Sequence, residues 1–348
     1  MKLGRTLFIM FAVVSLALAI SGTTFGAEKY CPDNRPADWP SNWGKWGPDD
    51  QIGTLNYITP EITKQAAKLI KKGLVVSVAM DATPNVSPKW PGRHGLIREM
   101  GPCGADFLVA RPAGNLAFTE SDITVEDHGL THIDPLVHVW WGNCTYNNFP
   151  APEIISHFQG LIKGSTNNYL PKSFTRGVLI DVAKFLGKNY VDRIDGSTVL
   201  SPDLIEKIAA VEGVAITPGT ALLIRTGWLK NWTGAGKNWN MMEDGEVGPS
   251  CGIQKWLQDK KVALIGMDNV AVEAIPAKKD CDDYYQVPLL PMHIGILSML
   301  GTPLLELMDL DALAADCAKD GVYEFAFSFP SIRYSNASGG LMSPTAVK

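Results

Sequence analysis

The chain has 348 residues, with 31 Lys and Arg against 36 Asp and Glu, a formal net charge of −5, 46% hydrophobic and 19% charged residues. That is the composition of a soluble globular protein, long enough for one large domain or two small ones. Mild acidity without a basic cluster argues against a nucleic-acid partner.

Lys2 and Arg5 open the chain, and an apolar run follows from Leu7 to Ile20. The run is shorter than the ~20 residues of a spanning helix. Small residues come next, so the pattern predicts a signal peptide over residues 1–26, cut near Gly26–Ala27, and an exported protein. The alternative is an uncleaved N-terminal anchor. No later segment could span a bilayer. Residues 27–58, rich in Pro, Trp, Asn and Asp, predict an irregular segment packed on the domain through its aromatics.

Thr59-Pro60 is an N-cap followed by proline at the first helical position. It predicts a helix through "EITKQAAKLIKK" that ends at Gly73. Ser201-Pro202 to Gly213 repeats this grammar. So does "LDALAADCAKD" after Asp309, stopped by Gly321. The apolar runs "GVLIDV" (177–182), "ALLIRTGW" (221–228), "VALIGMD" (262–268) and "YEFAFSF" (323–329) lack a helical period and predict buried strands. Strands alternating with helices give an α/β or α+β protein with a substantial sheet core. With no linker after residue 58, residues 59–348 form one expected catalytic domain. Residues 232–250 predict a long surface loop, of the kind that often serves as a lid.

Six cysteines, Cys31, Cys103, Cys144, Cys251, Cys281 and Cys317, follow the expected cut. Export permits disulfides in any of 15 connectivities. Small buried apolar roles are equally open. The absence of C-x-x-C spacing argues against a cysteine zinc site.

Three of the six histidines, His128, His132 and His138, fall in "DHGLTHIDPLVH", with Asp134 among them. Pro135 excludes one continuous helix. A straight strand at roughly 3.3 Å per residue would part His128 and His138 by about 33 Å. The segment must therefore bend, and Gly129 and Pro135 are the natural places. His132 and Asp134, at i and i+2, share one face of an extended stretch. Two imidazoles and a carboxylate converging suit Zn²⁺ or another divalent transition metal. The alternative is a set of ordinary polar loop residues. His94 and His157 read as surface or structural histidines.

His293 begins "HIGILSML", a predicted helix ended by Gly301, and "PLLEL" then predicts a strand. A helix climbing about 12 Å to Gly301 and a strand returning roughly 10–13 Å bring His293 and Glu306 to the same level. Glu306 is a lone acid in an apolar run. If buried it needs a partner charge or a metal; otherwise it faces water at a sheet edge.

Together these residues resemble the cyclase family of metal-dependent hydrolases, which includes bacterial kynurenine formamidase and isatin hydrolase. The family motif H-x-G-T-H-x-D-x-P-x-H reads here as His128-Gly-Leu-Thr131-His132-Ile-Asp134-Pro-Leu-Val-His138. Similarity extends to "SNWGKWGPDDQIGTLNYITPE", "RGVLIDVA", "LLIRTGW", "IGMDNVAVE" and "ELMDLDAL", over most of residues 41–345. Leu130 replaces the motif's glycine, and Leu136 stands at its proline position. The resemblance implies one α/β domain with a mixed β-sheet core flanked by helices. It implies a first metal on His128, His132 and Asp134. A second metal, held by His293 and Glu306 with Asp134 bridging, occurs in some members. His138 matches the catalytic proton shuttle.

The expected cofactor is Zn or Mn, one or two per chain. The expected chemistry is metal-assisted hydrolysis of a small non-peptide amide, lactam, formamide or lactone, with His138 moving protons near its ordinary pKa of about 6.5. Trp140 and Trp141 could wall a pocket for a planar substrate or simply pack the core. Rival readings are an exported metal- or small-molecule-binding protein without turnover, and a lyase or cyclase on the same site. The expected partners are a small-molecule substrate and further copies of the chain, a homodimer in the first instance. No nucleic acid and no stable membrane anchor are expected.

Overall fold

The helices start where the capping grammar puts them. Thr59 Oγ1 accepts the Ile62 N–H at 3.4 Å, and Ser201 Oγ accepts that of Leu204 at 3.2 Å. The helices span Pro60–Ala67 and Pro202–Val211. The first is shorter than expected, because Leu69 and Ile70 bond only three residues back, to Ala66 and Ala67. That tightened turn leads to Gly73, whose φ of +67° lets the chain reverse. The late helix, Asp311–Asp320, ends at Gly321 with φ +73°.

The computed structural model describes residues 36–348 apart from 84–89, 102–118, 192–199, 234–238, 241–242, 277–280, 282–283, 286 and 288. The expected signal peptide, Cys31 and Cys103 lie outside the described residues. No described helix is long and apolar enough to cross a membrane. Residues 36–58 are mostly turns, with a short 3-10 helix Gly53–Tyr57. Among them Trp39 is buried, and Trp43 Nε1 donates to Ser298 O at 2.7 Å.

The strands are β1 (Val75–Ser77), β2 (Ile97–Met100), β3 (Ser121–Thr124), β4 (His132–Ile133), β5 (Ile155–Ser156) and β6 (Gly160–Leu161). Then come β7 (Phe174–Asp181), β8 (Ala221–Arg225), β9 (Leu264–Met267), β10 (Leu304–Glu306), β11 (Glu324–Ser328), β12 (Gly340–Leu341) and β13 (Thr345–Val347). Nine of them form one curled mixed sheet in the order β1-β13-β11-β7-β8-β9-β10-β4-β12. The neighbours β7 to β10 pair in parallel, and the flanking pairs are antiparallel. The pairs β2–β3 and β5–β6 stand apart as two-stranded antiparallel sheets.

The parallel centre is buried on both faces, as its continuous apolar runs require. Val178, Leu179 and Ile180 are each 0% exposed, and each such side chain contributes about 1.5–3 kcal/mol by burial. The run 221–228 leaves the sheet at Arg225 because the N–H groups of Thr226 and Gly227 turn to the Asp268 carboxylate.

One expectation fails. Residues 232–250 are not simply a surface loop, since Gly245 to Pro249 are buried. The cause is Glu246, whose two carboxylate oxygens accept the N–H groups of Val270 and Ala271 at 2.9 and 2.8 Å. A buried carboxylate must be paired in this way, so it drags its neighbours inward.

Candidate metal centre

The stretch 127–138 bends where the sequence allows. Gly129 N–H closes a turn on Glu126 O at 2.8 Å, and His138 N–H closes another on Pro135 O at 2.9 Å. Between the bends, the two residues of β4 are gripped by β10 on one side and β12 on the other. Glu306 stands directly opposite His132 in the antiparallel register. Glu306 is therefore interior, 4% exposed, and not a water-facing edge residue.

His293 starts the turn His293–Met299, which is π-helical and fully buried. Such single π turns recur at functional sites. Gly301, with φ +65°, swings the chain back toward β10; a Cβ there would sit 2.2 Å from the Tyr146 ring.

These elements bring two triads together around one carboxylate: His128, His132, Asp134 and Asp134, His293, Glu306. His128 Nε2 and His132 Nε2 each lie 3.3 Å from Asp134 Oδ1. His132 Nε2 is 3.2 Å from Glu306 Oε2. His293 Nε2 is 3.3 Å from Glu306 Oε1 and 3.6 Å from Asp134 Oδ2.

These close pairs lack hydrogen-bond alignment at their inner ends. The Nε2 atoms of His128 and His132, both oxygens of Asp134 and Oε1 of Glu306 are all buried without a hydrogen-bond partner among the described residues. Orphaned polar atoms of this kind are costly unless something bridges them.

The outer ring nitrogens, by contrast, are all engaged. His132 Nδ1 lies 2.6 Å from Leu130 O. A carbonyl only accepts, so Nδ1 carries the proton and the Nε2 lone pair of the neutral ring faces inward. His128 Nδ1 meets Asp127 Oδ1 at 2.9 Å, and His293 Nδ1 meets Glu273 Oε1 at 2.5 Å. Imidazole ligands of metals are held by such outer partners. The donor set thus fits one or two divalent cations: inward lone pairs, carboxylates and fixed tautomers, with no other partner among the described residues.

The protonation balance agrees. Burial disfavours charge on His132, but Asp134 and Glu306 outweigh it and push its pKa up to about 10. The same contest raises His293, where Asp134, Glu273 and Glu306 prevail over burial. Burial works against the Asp134 charge, but the surrounding histidines hold its carboxyl well below the usual range. Bare, the centre binds protons; a cation can replace them.

His138 stands apart from these ligand sets. Its ring stacks on that of His128, with centroids 4.0 Å apart and planes at 24°. Burial, opposed by Asp134 and reinforced by His128, pushes its pKa down to about 4. The ring is therefore neutral at pH 7, and the expectation that it titrates near 6.5 needs correction. Two residues on, Trp140 is exposed, while Trp141 packs edge-on against buried Trp39 at 5.3 Å. His94 is exposed, and the His157 ring meets that of Phe158 edge-on; neither belongs to the two triads.

The two departures from the family motif have structural sense. Leu136 keeps an N–H that proline would lack, and gives it to Tyr169 Oη at 2.9 Å. That hydroxyl donates in turn to Asp134 O at 3.2 Å. Leu130 packs against a second apolar cluster that includes Met80, Trp228 and Leu307.

Asp127, Glu273 and Arg93, whose guanidinium donates to His128 O at 2.8 Å, were not found from the sequence. Glu273 carried a signal: it is a lone acid in the apolar stretch "NVAVEAI", as Glu306 is in its own.

Fold and site together define an α/β protein with a buried histidine–carboxylate centre at the edge of its parallel strands. The family model Cyclase matches residues 81–274. A solved structure described as a novel cyclase is 30% identical, with a TM-score of 0.79, covering 89% of this chain and 100% of that one. The chain belongs to the cyclase family. Isatin hydrolase A from Labrenzia aggregata, bound to benzyl benzoate, shares the fold at 19% identity and TM-score 0.55, covering 83% of this chain and 98% of that one. An isatin hydrolase bound to the product analogue thioisatinate does so at 18% and 0.55, covering 81% and 94%. No curated protein matches the sequence at a significant level.

Proposed function

We propose that the chain is a metal-dependent hydrolase that opens a C–N or C–O bond in a small non-peptide amide, lactam, formamide or lactone. The observation that carries this reading is the ring of buried, unpartnered donor atoms around Asp134, with a neutral imidazole stacked beside it. His128, His132 and Asp134 would hold one cation, and Asp134, His293 and Glu306 a second, with Zn or Mn the ions of choice for mixed N/O ligands. When bound, such a cation supplies Lewis acidity, activating water near neutral pH and polarising a carbonyl oxygen. A ring nitrogen of His138 takes the proton of the attacking water and returns it to the leaving nitrogen or oxygen. Its depressed pKa keeps it available as a base throughout the neutral range. Trp140, exposed beside it, contacts a planar substrate. The relative that binds thioisatinate supports cyclic amides as the first substrates to try.

The protein is also proposed to act after export, as a homo-oligomer. The disulfide between Cys251 and Cys281 supports an oxidising compartment. Mature protein should begin near Ala27.

The deciding experiment is turnover of a panel of cyclic imides, lactones and formamides by purified protein, with and without chelator. Hydrolysis abolished by chelator and restored by Zn²⁺ or Mn²⁺ is expected. Turnover indifferent to chelation, or metal bound without any turnover, would overturn the hydrolase reading.

A further inference from the structure

The three imidazoles of the centre are turned by outer partners of different kinds. His132 meets a neutral carbonyl. His128 meets Asp127, whose side chain is 32% exposed and also accepts from Ser338 Oγ and Gly339 N–H. His293 meets Glu273, whose side chain is 1% exposed. The Glu273 carboxylate grips both the ring and the main chain, accepting the N–H of Met292 at 3.0 Å and that of His293 at 3.4 Å.

Glu273 is itself held from three directions. Val272, just before it, stands at φ +52°, a left-handed conformation that is a marked outlier for a β-branched residue. The Val272 N–H is tied to Asn269 Oδ1 at 3.0 Å. Glu246 accepts from Val270 and Ala271, the two residues before Val272. Gly248 presses on the same backbone: a Cβ there would fall 2.1 Å from Ala274 N and 2.4 Å from Glu273 Cα. A strained residue, a buried acid and a close glycine all serve to aim one carboxylate. Strain of this kind persists only where its surroundings over-determine it, and it gathers at functional sites.

We propose that Glu273 is the positioning residue of the His293–Glu306 half-site. It fixes Nε2 toward Asp134 and Glu306 and sets a third carboxylate charge behind the ring, so that the two half-sites prefer different cations. The His128–His132–Asp134 set offers two nitrogens and one carboxylate, and suits a borderline ion such as Zn²⁺ or Co²⁺. The His293 set offers one nitrogen and two carboxylates with the Glu273 charge behind, and suits a harder ion such as Mn²⁺. This assignment rests on the metal-centre reading above.

The test strips the full-length chain with chelator and titrates it with Co²⁺ and Mn²⁺. Calorimetry counts the steps and visible absorption reports the Co²⁺ environment. The wild type should show two steps, with Mn²⁺ favouring one of them. Glu273→Gln should weaken that step about 10–100-fold, the usual worth of an outer ligand partner, and leave the other within about twofold. Asp127→Asn should do the reverse, and Glu273→Asp should restore part of what Glu273→Gln loses. If Glu273→Gln does not fold, Gly248→Ala, which displaces the backbone under Glu273, must weaken the same single step. Equal weakening of both steps, weakening of neither, or one step answering to both Asp127 and Glu273 overturns the assignment alone. So does a single wild-type step. A wild type that takes up neither ion overturns the metal-centre reading and this assignment together.

Discussion

His128, His132 and Asp134 come from one short stretch bent at Gly129 and Pro135, whereas His293 and Glu306 come from a π-helical turn and a strand that meet only in the folded sheet. The first half-site is written in local chain geometry. Two turns and a two-residue strand carry its donors, and Asp127, next to His128 in the chain, turns that ring. The second depends on the register of β10 against β4, which sets Glu306 opposite His132, and on Glu273, which fixes His293. A half-site built locally should tolerate damage elsewhere in the fold. One assembled from distant pieces should answer to whatever supports those pieces.

The largest expected effect comes from the residue that belongs to both halves. Asp134→Ala removes the shared carboxylate, so bound metal should fall to background by elemental analysis and turnover should vanish with it. Full metal retention in this variant would dissolve the distinction between two joined half-sites.

His138→Ala removes the ring stacked on His128 but none of the proposed ligands of either half. Metal content should stay at the wild-type level while kcat drops roughly 10²–10⁴-fold, the range of a positioned general acid–base. The pH profile sharpens this. The folded pKa, about 4, lies below the ordinary value for histidine. Neutral imidazole therefore persists down to that value, and activity should fall only as pH drops through it. The same shift favours proton uptake by the unfolded chain, so stability should decline as pH falls from about 6.5 to about 4. Both the activity limb and this part of the stability slope should disappear in His138→Ala. An activity limb near pH 6–7 that survives the substitution belongs to another group.

The remaining two predictions each lean on one half. Cys281 Sγ touches Met292 Sδ, next to His293, at 3.9 Å. Loss of the Cys251–Cys281 bridge, which spans 30 residues, should cost about 3–4 kcal/mol in denaturant unfolding. In the folded variant it should disturb the second half-site and spare the first. Tyr169→Phe acts on the other half. It leaves the buried Leu136 N–H and Asp134 O without their partner, a loss of about 1–3 kcal/mol visible as a lowered Tm. Metal stoichiometry should not change, because the two turns still aim His128 and His132.

How much of this was legible in the sequence differs along the chain. The helix starts at Thr59 and Ser201 were, because a capping hydroxyl and a proline act within one turn. The four central strands were, because strands buried on both faces leave unbroken apolar runs. His128, His132 and Asp134 were, because their even spacing and the two breakers confine the possible geometries. Element lengths placed His293 and Glu306 at one level and Glu306 stood out as a lone acid in an apolar run, while their role as a metal-holding pair came from the family resemblance. The stretch 232–250 was misread as a surface loop: it is polar and Gly-rich, and the hydrogen bonds of Glu246 to a distant loop bring its end inside. Asp127 was not singled out, since nothing local shows that it turns the neighbouring ring.

The sequence by itself determined the elements, the ligand types and the bends, because each follows from forces acting over a few residues. Only the tertiary structure decided which nitrogen of each histidine faces inward, that Glu306 opposes His132, that His138 stays neutral and that Glu273 stands behind His293. Those depend on burial, strand register and charges brought together from remote parts of the chain. Coulombic and desolvation effects are set by distances in space, and no spacing along the sequence encodes them.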